Sequence, residues 1–265
     1  MEGAGRSEHP LSGGNFDADV VRVGKTVRRR AGAWTPAVHS LLRHLASVGF
    51  TGAPSAHGMD HRGREVVDFI AGQPGRIPMD DYMRTDAMLV EVGKMLRTFH
   101  DATVTFVAPD RAVWRQAAPD PGPIEVVCHN DWAPYNAVFH NRSLKAFIDW
   151  DFARPGSRIW DLVWAAHTWV PLWDEDGCVG VGWPTPPDRG YRLRLLCDAY
   201  GLADRVPVLP ALRARVRGTA EWIEAGAAAR HPILVRLLSE GHAQGYRRAA
   251  SYLETIDGEL RTALR

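Results

Sequence analysis

The chain has 265 residues, of which 45% are hydrophobic, and this is enough to form a good core in one large domain or in two lobes. Its formal net charge of +1, with 24% charged residues, argues against nucleic acid or a membrane surface as the main partner, because both attract proteins through an excess of basic residues. No run of apolar residues approaches the length of a membrane span, and residues 1–14 lack the apolar segment of a signal peptide.

The first third of the sequence predicts a small α+β unit. A Ser-Gly-Gly-Asn sequence at residues 12–15 indicates a turn, and apolar residues at helical spacing predict a helix near Pro36–Val48. Thr35 is expected as the N-cap of this helix, with Pro36 at its first position. Strands are expected near Asp19–Val23, Thr26–Arg29, Ser55–Met59 and Glu65–Phe69.

After residue 72 the pattern becomes mainly helical. Apolar residues on one face predict a helix over Met79–Thr103. Short apolar runs at Ile124–Cys128, Ala137–Phe139 and Leu144–Ile148 predict strands, and the turn between the last two predicts a β-hairpin. Further helices are expected near Ile159–Val170, Arg189–Tyr200, Leu209–Ala229 and His231–Ala263.

Polar residues flank this hairpin at both ends. Because a hairpin brings its ends together, Asn136, just before the first strand, and Asp149, just after the second, are expected to lie side by side. Both carry the hard oxygen ligands that Mg²⁺ prefers, and the metal would keep its other positions for water and substrate phosphates. Asp131 is placed to meet an incoming hydroxyl rather than the metal. The pattern predicts a phosphoryl-transfer site; the alternative is a set of turn-forming and capping residues with no shared chemistry.

The loop His129–Asn136, with the pattern H-x-D-x-x-x-x-N, and the segment Ile148-Asp149-Trp150 resemble the catalytic core of the aminoglycoside phosphotransferase family in the protein-kinase-like superfamily. The resemblance implies an α+β, bilobal protein-kinase-like fold. A small antiparallel-sheet N-lobe, residues 1–72, would bind the nucleotide, and a larger, mainly helical C-lobe, residues 73–265, would carry the catalytic and acceptor-binding residues. It also implies ATP or GTP as co-substrate and Mg²⁺ as cofactor.

The resemblance assigns roles to individual residues. Asp131 would accept or orient the proton of the substrate hydroxyl, while Asn136 and Asp149 would hold Mg²⁺ on the nucleotide phosphates. Asp161 would brace the backbone of the catalytic loop, and His129 is expected to pack and hydrogen-bond beneath it. The nucleotide contacts would be Ser12, Gly13 and Gly14 over the phosphates, unless these form a plain loop, and a hinge at residues 67–70, with Val67 and Phe69 near the adenine edge.

The cation that binds phosphate departs from the family pattern. The family usually places a Lys or Arg on the third strand of the small lobe, whereas Lys25 lies in a turn. Arg28 and Arg29 on the following strand point to opposite faces, and we expect Arg28 to face the cleft. The alternative is that both belong to a solvated basic edge of the sheet.

The helix of the small lobe departs as well. In this family it normally offers a Glu to the phosphate-binding cation, but residues 35–42 contain no acidic residue, and Val38 or His39 occupies the expected place. The ion pair is therefore absent or rebuilt from elsewhere. A protein that binds nucleotide without turnover becomes more credible for this reason, although an arginine, which is always charged, needs the partner less than a lysine does.

Together these observations predict a Mg²⁺-dependent kinase acting on a hydroxyl of a small molecule, with no nucleic acid or membrane partner. An acidic rim formed by residues 174–176, Glu221 and Glu224 would suit a cationic, aminoglycoside-like antibiotic, or it is simply a solvated surface. The alternative function is a nucleotide-binding pseudoenzyme or antibiotic-immunity protein without turnover; a remote third is a Mg²⁺ phosphohydrolase built around Asp149 and Asp151. Three widely spaced cysteines are typical of reduced thiols in a cytoplasm, and the oligomeric state stays open.

Overall fold

The N-terminal part of the computed structural model, which describes residues 7–11 and 19–265, contains a five-stranded antiparallel sheet. Strand β3 pairs with β5 so that Arg29 lies directly opposite Glu65, and Arg28 lies opposite Val66. Since successive side chains of a strand point to opposite faces, this register decides which arginine faces inward. The strands are β1 (Glu8–Pro10), β2 (Val21–Val23), β3 (Thr26–Arg30), β4 (Ala56–Met59) and β5 (Arg64–Asp68), in the order β1-β2-β3-β5-β4.

Helix α1 (Thr35–Ser47) connects β3 to β4. Its apolar residues recur at helical spacing and are buried, which confirms the predicted helix. The prediction that Thr35 is the N-cap is wrong: Trp34 occupies that position, and the hydroxyl of Thr35 accepts a hydrogen bond from the N–H of Gly32 at 2.9 Å. Gly49, at φ +81°, lies in the left-handed region that ends the helix.

The predicted helix over Met79–Thr103 is divided in two. A short 3₁₀ turn, Asp81–Arg84, precedes helix α2 (Asp86–Thr103). Thr85 separates them because its extended backbone, φ −70° and ψ 153°, interrupts the helix, and its hydroxyl caps α2 by accepting from the N–H of Met88 at 3.2 Å.

The predicted hairpin is present at the centre of the chain. Strands β8 (Ala137–His140) and β9 (Ser143–Phe147) pair in antiparallel register, and β8 also pairs with the short strand β6 (Gln73–Pro74). Two further strands enclose the loop and hairpin: β7 (Val126–Cys128) precedes them, β10 (Arg154–Gly156) follows, and these two pair with each other. The catalytic loop therefore begins and ends on paired strands.

Helices form the rest of the fold. The helix predicted over His231–Ala263 is divided after residues 239 and 255, and Gly241, at φ +83°, lies at the first break. None of the helices in the described ranges is long and apolar enough to cross a membrane. They are α3 (Arg158–Trp169), α4 (Glu175–Gly180), α5 (Arg189–Tyr200), α6 (Val208–Ala228), α7 (Pro232–Ser239), α8 (His242–Thr255) and α9 (Asp257–Ala263).

One hydrophobic core runs through both parts of the molecule. It includes Val38 and Leu42 of α1, Phe99 of α2, Trp132 of the catalytic loop and Leu212 of α6. An antiparallel sheet with one helix, followed by a larger helical part, is the bilobal α+β architecture expected from the sequence, and the fold class is confirmed.

Candidate active site

The catalytic loop, residues 129–136, is fixed from below by Asp161 of α3. Its Oδ2 accepts a hydrogen bond from the N–H of His129 at 2.7 Å, and its Oδ1 accepts from the N–H of Asn130 at 2.8 Å. Asp161 is fully buried; although burial by itself raises the pKa of a carboxyl group, the hydrogen bond and charge of His100 hold the pKa of Asp161 below its usual value. The predicted bracing role is confirmed.

His100 is a support that the sequence did not reveal. It lies on α2, and its Nε2 is 3.2 Å from Oδ2 of Asp161, while its Nδ1 is 2.7 Å from the hydroxyl of Tyr200 on α5. The histidine thus connects three helices beneath the loop. Its partners are 61 and 100 residues away, so no local pattern could indicate them.

His129 packs within the loop as expected. It is fully buried; its Nε2 donates to the carbonyl of Ile148 at 3.1 Å, and its Nδ1 accepts from the N–H of Asp131 at 3.2 Å. Burial lowers the pKa of His129, which favours the neutral ring that this pair of hydrogen bonds requires. Both ring nitrogens are used in positioning the loop, so His129 has none left to serve as a base.

Asp131 is half-buried and held by side-chain donors on both oxygens. Oδ1 accepts from the hydroxyl of Tyr135 at 2.7 Å and from Nε1 of Trp164 at 3.1 Å, and Oδ2 accepts from Nδ2 of Asn136 at 2.8 Å. Burial raises the pKa of Asp131, and the hydrogen bond from Tyr135 opposes that rise. A fixed carboxylate with a raised pKa is suited to accepting a proton from a hydroxyl.

Asn136 and Asp149 lie next to each other, as the hairpin predicted. The N–H of Ile148 donates to the carbonyl of Asn136 at 2.8 Å, which extends the β8–β9 pairing by one step. Nδ2 of Asn136 donates to the backbone carbonyl and to the carboxylate of Asp131, so its Oδ1 is the atom left for a cation. Asp149 adopts a left-handed backbone, φ +62° and ψ +65°, where the strand ends. An amide oxygen and a partly exposed carboxylate at adjoining positions fit the ligands that Mg²⁺ prefers.

The structure corrects the choice of arginine on β3. Arg29, not Arg28, points to the carboxylates of the cleft: its Nη1 is 2.8 Å from Oδ1 of Asp149, and its Nε donates to Glu65. Arg28 points to the opposite face, where its Nη1 donates to the hydroxyl of Thr26 at 2.5 Å and its Nε lies 3.7 Å from Asp60. Alternation along the strand allows only one of the two to enter, and the register against Glu65 selects Arg29.

The missing helix carboxylate is supplied by the neighbouring strand. Glu65 on β5 is buried, pairs with Arg29, and its Oε2 is 2.9 Å from Nε2 of His39 on α1. Burial by itself raises the pKa of Glu65, but the hydrogen bond from His39 and the charge of Arg29 hold it below the usual value. The ion pair is therefore rebuilt, with the acid moved from the helix to the strand and a histidine standing where the helix Glu was expected.

Asp151 completes what we call the arginine–carboxylate network, formed by Arg29, Glu65, Asp149, Asp151 and Arg115. Oδ1 of Asp151 is 2.5 Å from Nη2 of Arg29, and its Oδ2 is 3.0 Å from Nη1 of Arg115. Asp151 is buried, and both of its oxygens are engaged by arginines. The phosphohydrolase hypothesis therefore loses its second metal-binding carboxylate.

The other residues expected to contact the nucleotide have different outcomes. Ser12, Gly13 and Gly14 lie outside the described residues. Val67 lies inside the sheet, paired with Val27 and Ala56, and the N–H of Phe69 donates to the carbonyl of Lys25 at 2.9 Å. Val67 and the N–H of Phe69 are thus engaged within the sheet, and a contact of these residues with the adenine edge stays a prediction.

A cavity of about 110 Å³ opens beside Asp131, and we call it the acceptor cavity. Its walls come mainly from the helices that follow the hairpin, and they include Trp164, Arg215, Trp222 and Tyr246. Asp131 is the only carboxylate that lines it among the described residues. None of the residues expected to form an acidic rim lines it.

Comparison with known proteins agrees with this geometry. A model of the phosphotransferase enzyme family matches residues 108–193, which include the catalytic loop, the hairpin and Asp149. The trifolitoxin immunity protein of Rhizobium leguminosarum bv. trifolii is 36% identical over 200 residues, covering 73% of this chain and 74% of that protein.

Two solved structures have the same fold. The GDP complex of aminoglycoside 2′-phosphotransferase-IIIa superposes with a TM-score of 0.60 at 16% identity, over 92% of each chain. A choline/ethanolamine kinase family protein from Mesorhizobium loti superposes with a TM-score of 0.58 at 16% identity, over 95% of this chain and 94% of that one. The chain belongs to the aminoglycoside phosphotransferase family of phosphotransferase enzymes and has its bilobal, protein-kinase-like fold.

Proposed function

We propose that this protein transfers the γ-phosphoryl group of ATP or GTP to a hydroxyl group of a small molecule, with Mg²⁺ as cofactor. The observation that carries the proposal is the convergence of Asp131, Asn136 and Asp149 at one end of a hairpin, with Arg29 turned toward Asp149. Solved structures of the same fold contain GDP and ADP, which supports a nucleotide as co-substrate. The three described cysteines are unpaired and buried, which supports a cytoplasmic location.

In this mechanism Asp131 orients the acceptor hydroxyl and takes its proton as the phosphoryl group is transferred. Tyr135, Trp164 and Asn136 fix the carboxylate in the geometry that this step requires. Asn136 and Asp149 would hold Mg²⁺, which supplies charge neutralisation on the phosphate oxygens when bound. Arg29 would contact the phosphates with guanidinium N–H groups that can bind two oxygens at once, in exchange for its contact with Asp149.

A second candidate is an immunity protein that binds its target without phosphorylating it. The observation that favours it is the 36% identity to the trifolitoxin immunity protein. The first turns of α1 lack an acidic residue, which also favoured binding without turnover at the level of the sequence. This argument is weaker in the structure, because Glu65 supplies the ion pair to Arg29.

The two candidates separate in a nucleotide-by-acceptor panel. The protein is incubated with ATP or GTP, Mg²⁺ and a set of hydroxyl-bearing small molecules, and phosphorylated products are measured by mass spectrometry, with Asp131→Asn as the matched control. A phosphorylated acceptor that the variant does not produce supports the phosphotransferase. Nucleotide binding with no product for any acceptor, identical in the variant, supports binding without turnover. Phosphate release without an acceptor would indicate a hydrolase instead.

A further inference from the structure

The acceptor cavity contains a buried cation that is not directly paired with a carboxylate. Arg215 of α6 is 3% exposed, its Nη2 donates to the carbonyl of Asn130 at 2.8 Å, and it forms no ion pair with any residue in the described ranges. Its Nε and Nη1 are buried and have no hydrogen-bond partner among the described residues. Burial lowers the pKa of Arg215 and the charges of Asp161 and Asp131 oppose that shift, so the guanidinium stays protonated at neutral pH. A buried, partly unpartnered guanidinium is costly, so it indicates a missing partner.

The unpartnered cation and the catalytic carboxylate are connected by one aromatic side chain. Nε1 of Trp164 donates to Asp131 at 3.1 Å, and the guanidinium carbon of Arg215 lies 4.9 Å from the centre of a Trp164 ring. Asp131, Trp164 and Arg215 all line the cavity. A molecule that presents a hydroxyl to Asp131 therefore lies in the same cavity as Arg215, and Trp164 contacts both residues.

The remaining walls are mainly apolar and aromatic. Trp222, Ile223 and Tyr246 line the cavity together with Trp164, and the lining also includes the polar residues Asn130, Thr219 and His242. A dry cavity of roughly 150 Å³ accommodates a benzene ring, so in this cavity of about 110 Å³ a small flat ring would extend into the opening to solvent. Such walls favour a planar apolar frame between the two polar ends.

None of the acidic residues expected to attract a cationic acceptor lines the cavity, and two of them are engaged by other groups. Glu224 pairs with Arg247 at 2.5 Å, and Asp174 caps α4 by accepting from the N–H of Gly177 at 2.9 Å. Neither residue lines the cavity, and Arg215 would repel an ammonium group placed there. The expected acidic residues therefore form no part of the cavity wall, although Glu221 and Glu224 lie on α6 beside the lining residues Trp222 and Ile223, and a cationic, aminoglycoside-like acceptor stays a prediction.

We propose that the acceptor is a small hydroxy acid: a flat, aromatic or similarly apolar frame with a hydroxyl group at Asp131 and a carboxylate at Arg215. This inference rests on the proposed function, because it takes Asp131 as the residue that receives the hydroxyl. The carboxylate completes the hydrogen bonding of Arg215, and the frame lies against Trp164. Charge at one end and a hydroxyl at the other fix the orientation of the acceptor in the cavity.

The test uses three probes that share a 4-(hydroxymethyl)phenyl frame and carry an anionic, a neutral or a cationic group at the other end: 4-(hydroxymethyl)benzoate, the near-isosteric 4-(hydroxymethyl)benzamide, and 4-(hydroxymethyl)benzylamine. Binding to the full-length protein is measured by calorimetry without nucleotide, and transfer is measured separately with Mg²⁺ and ATP. The benzoate is expected to bind about ten- to a hundredfold more tightly than the amide, as for a charge-assisted hydrogen bond, and the amine is expected to bind least. Equal binding of all three, tightest binding of the amine, or no binding of any at millimolar concentration would overturn the proposal.

Variants on one helix give the matched control. Arg215→Met should abolish the preference for the benzoate over the amide, and Arg215→Lys should retain part of it. Arg217→Met also removes one charge from α6, but Arg217 is half-exposed and 3.7 Å from Glu254, so the preference should persist. If Arg215→Met does not fold, the order of affinity of the wild-type protein for the three probes still tests the hydroxy-acid proposal.

The outcomes also separate this inference from the proposed function. Preferential binding of the benzoate without transfer to any acceptor supports the hydroxy-acid cavity and contradicts the kinase. Transfer to an acceptor together with preferential binding of the amine supports the kinase and contradicts the hydroxy acid.

Discussion

The two sides of Asp131 differ in how their buried charges are neutralised. In the arginine–carboxylate network, Arg29 contacts Glu65, Asp149 and Asp151, and Arg115 contacts Asp151 again. In the acceptor cavity, Arg215 contacts a backbone carbonyl and two tryptophan rings, and it pairs with no carboxylate of the part of the chain that the structure describes. On the first side every arginine is paired with carboxylates of the protein, whereas on the second side two guanidinium nitrogens have no hydrogen-bond partner among the described residues. On the proposed function, the first side borders the nucleotide, and we call it the nucleotide side, whereas the cavity receives the acceptor.

Removing the carboxylate at the centre of the nucleotide side should have the largest effect. Asp149→Ala is expected to abolish Mg²⁺-dependent nucleotide binding, because Asn136 alone offers one oxygen to the metal. The measurement is calorimetric titration of ATP with and without Mg²⁺. Asp110→Ala, which removes an exposed acid, is the control. Unchanged metal dependence in Asp149→Ala would exclude Asp149 as a ligand.

Asp131 lies where the two sides meet, and its replacement should separate binding from chemistry. Asp131→Asn is expected to lower the rate of transfer by about 10²–10⁴, the range for a positioned general base, while ATP affinity stays nearly unchanged. Single-turnover kinetics and equilibrium binding measure the two quantities. If the affinity for ATP falls together with the rate of transfer, Asp131 acts in nucleotide binding instead.

Asp161, which holds the loop of residues 129–136 from below, can be tested by measuring the stability of the protein. Asp161→Asn should lower the free energy of unfolding by about 3–5 kcal/mol, because it removes one partner from a buried charged network. Asp198→Asn, whose carboxylate makes an exposed pair with Arg205, should cost less than about 1 kcal/mol. Denaturant titration measures the free energy of unfolding of both variants.

The same variant has a defined pH dependence. The pKa of Asp161 is lowered in the folded protein, so its stabilisation is complete above the unfolded pKa, near 3.8, and is lost as the pH falls toward the folded pKa. The difference in stability between wild type and Asp161→Asn should therefore narrow below about pH 4. A constant difference down to pH 2 would contradict the ionic role of this carboxylate.

The arginine pair on β3 gives a smaller and more selective effect. Arg29→Met should weaken the binding of ATP about ten- to a hundredfold more than the binding of adenosine. Only the phosphates lose a charge-assisted hydrogen bond, which is worth roughly 1.5–3 kcal/mol. Arg28→Met should leave both affinities unchanged, since Arg28 contacts Thr26 and Asp60 on the other face. Because Arg29 also pairs with Glu65, melting temperatures should accompany the binding data. Selective loss of ATP binding in Arg28→Met would contradict the observed register.

Tyr135→Phe should produce the smallest change. The tyrosine hydroxyl opposes the raised pKa of Asp131, so its removal should raise that pKa further. Because the base must be ionised to act, activity should decline at a higher pH than in the wild type as the solution is acidified. At neutral pH the rate should fall by roughly two- to tenfold, the value of one hydrogen bond. If activity declines at the same acidic pH in Tyr135→Phe as in the wild type, Tyr135 does not influence the pKa of Asp131.

The sequence was most informative where neighbouring residues determine the geometry. The loop, the hairpin and the adjacency of Asn136 and Asp149 follow from a contiguous pattern, because a hairpin of known length aligns its own ends. Asp161 was also identified through the family pattern. Breaks within predicted helices were harder to predict from the sequence. Gly241 divides one predicted helix, and only its backbone angle distinguishes it from the glycines within helices.

Contacts between distant elements could not be obtained in this way. Strand alternation showed that only one of Arg28 and Arg29 enters the cleft, but the expectation that this is Arg28 was wrong, because pairing with Glu65 on β5 selects Arg29. The Glu65–His39 contact requires the positions of a strand and a helix relative to each other. Arg215 contacts a residue 85 positions earlier in the chain, so the character of the acceptor cavity depends on the packing of helices.

The contact between Arg29 and Asp149 has a consequence for the order in which the proposed metal and nucleotide would bind. The oxygen of Asp149 that accepts from Arg29 at 2.8 Å is on the same carboxylate that would coordinate Mg²⁺. A free divalent ion would compete with the guanidinium for this carboxylate, whereas a metal–nucleotide complex would bring phosphates that accept from Arg29 in place of Asp149. On the proposed function, the ion pair would therefore disfavour binding of the metal alone and favour binding of the complete metal–nucleotide complex.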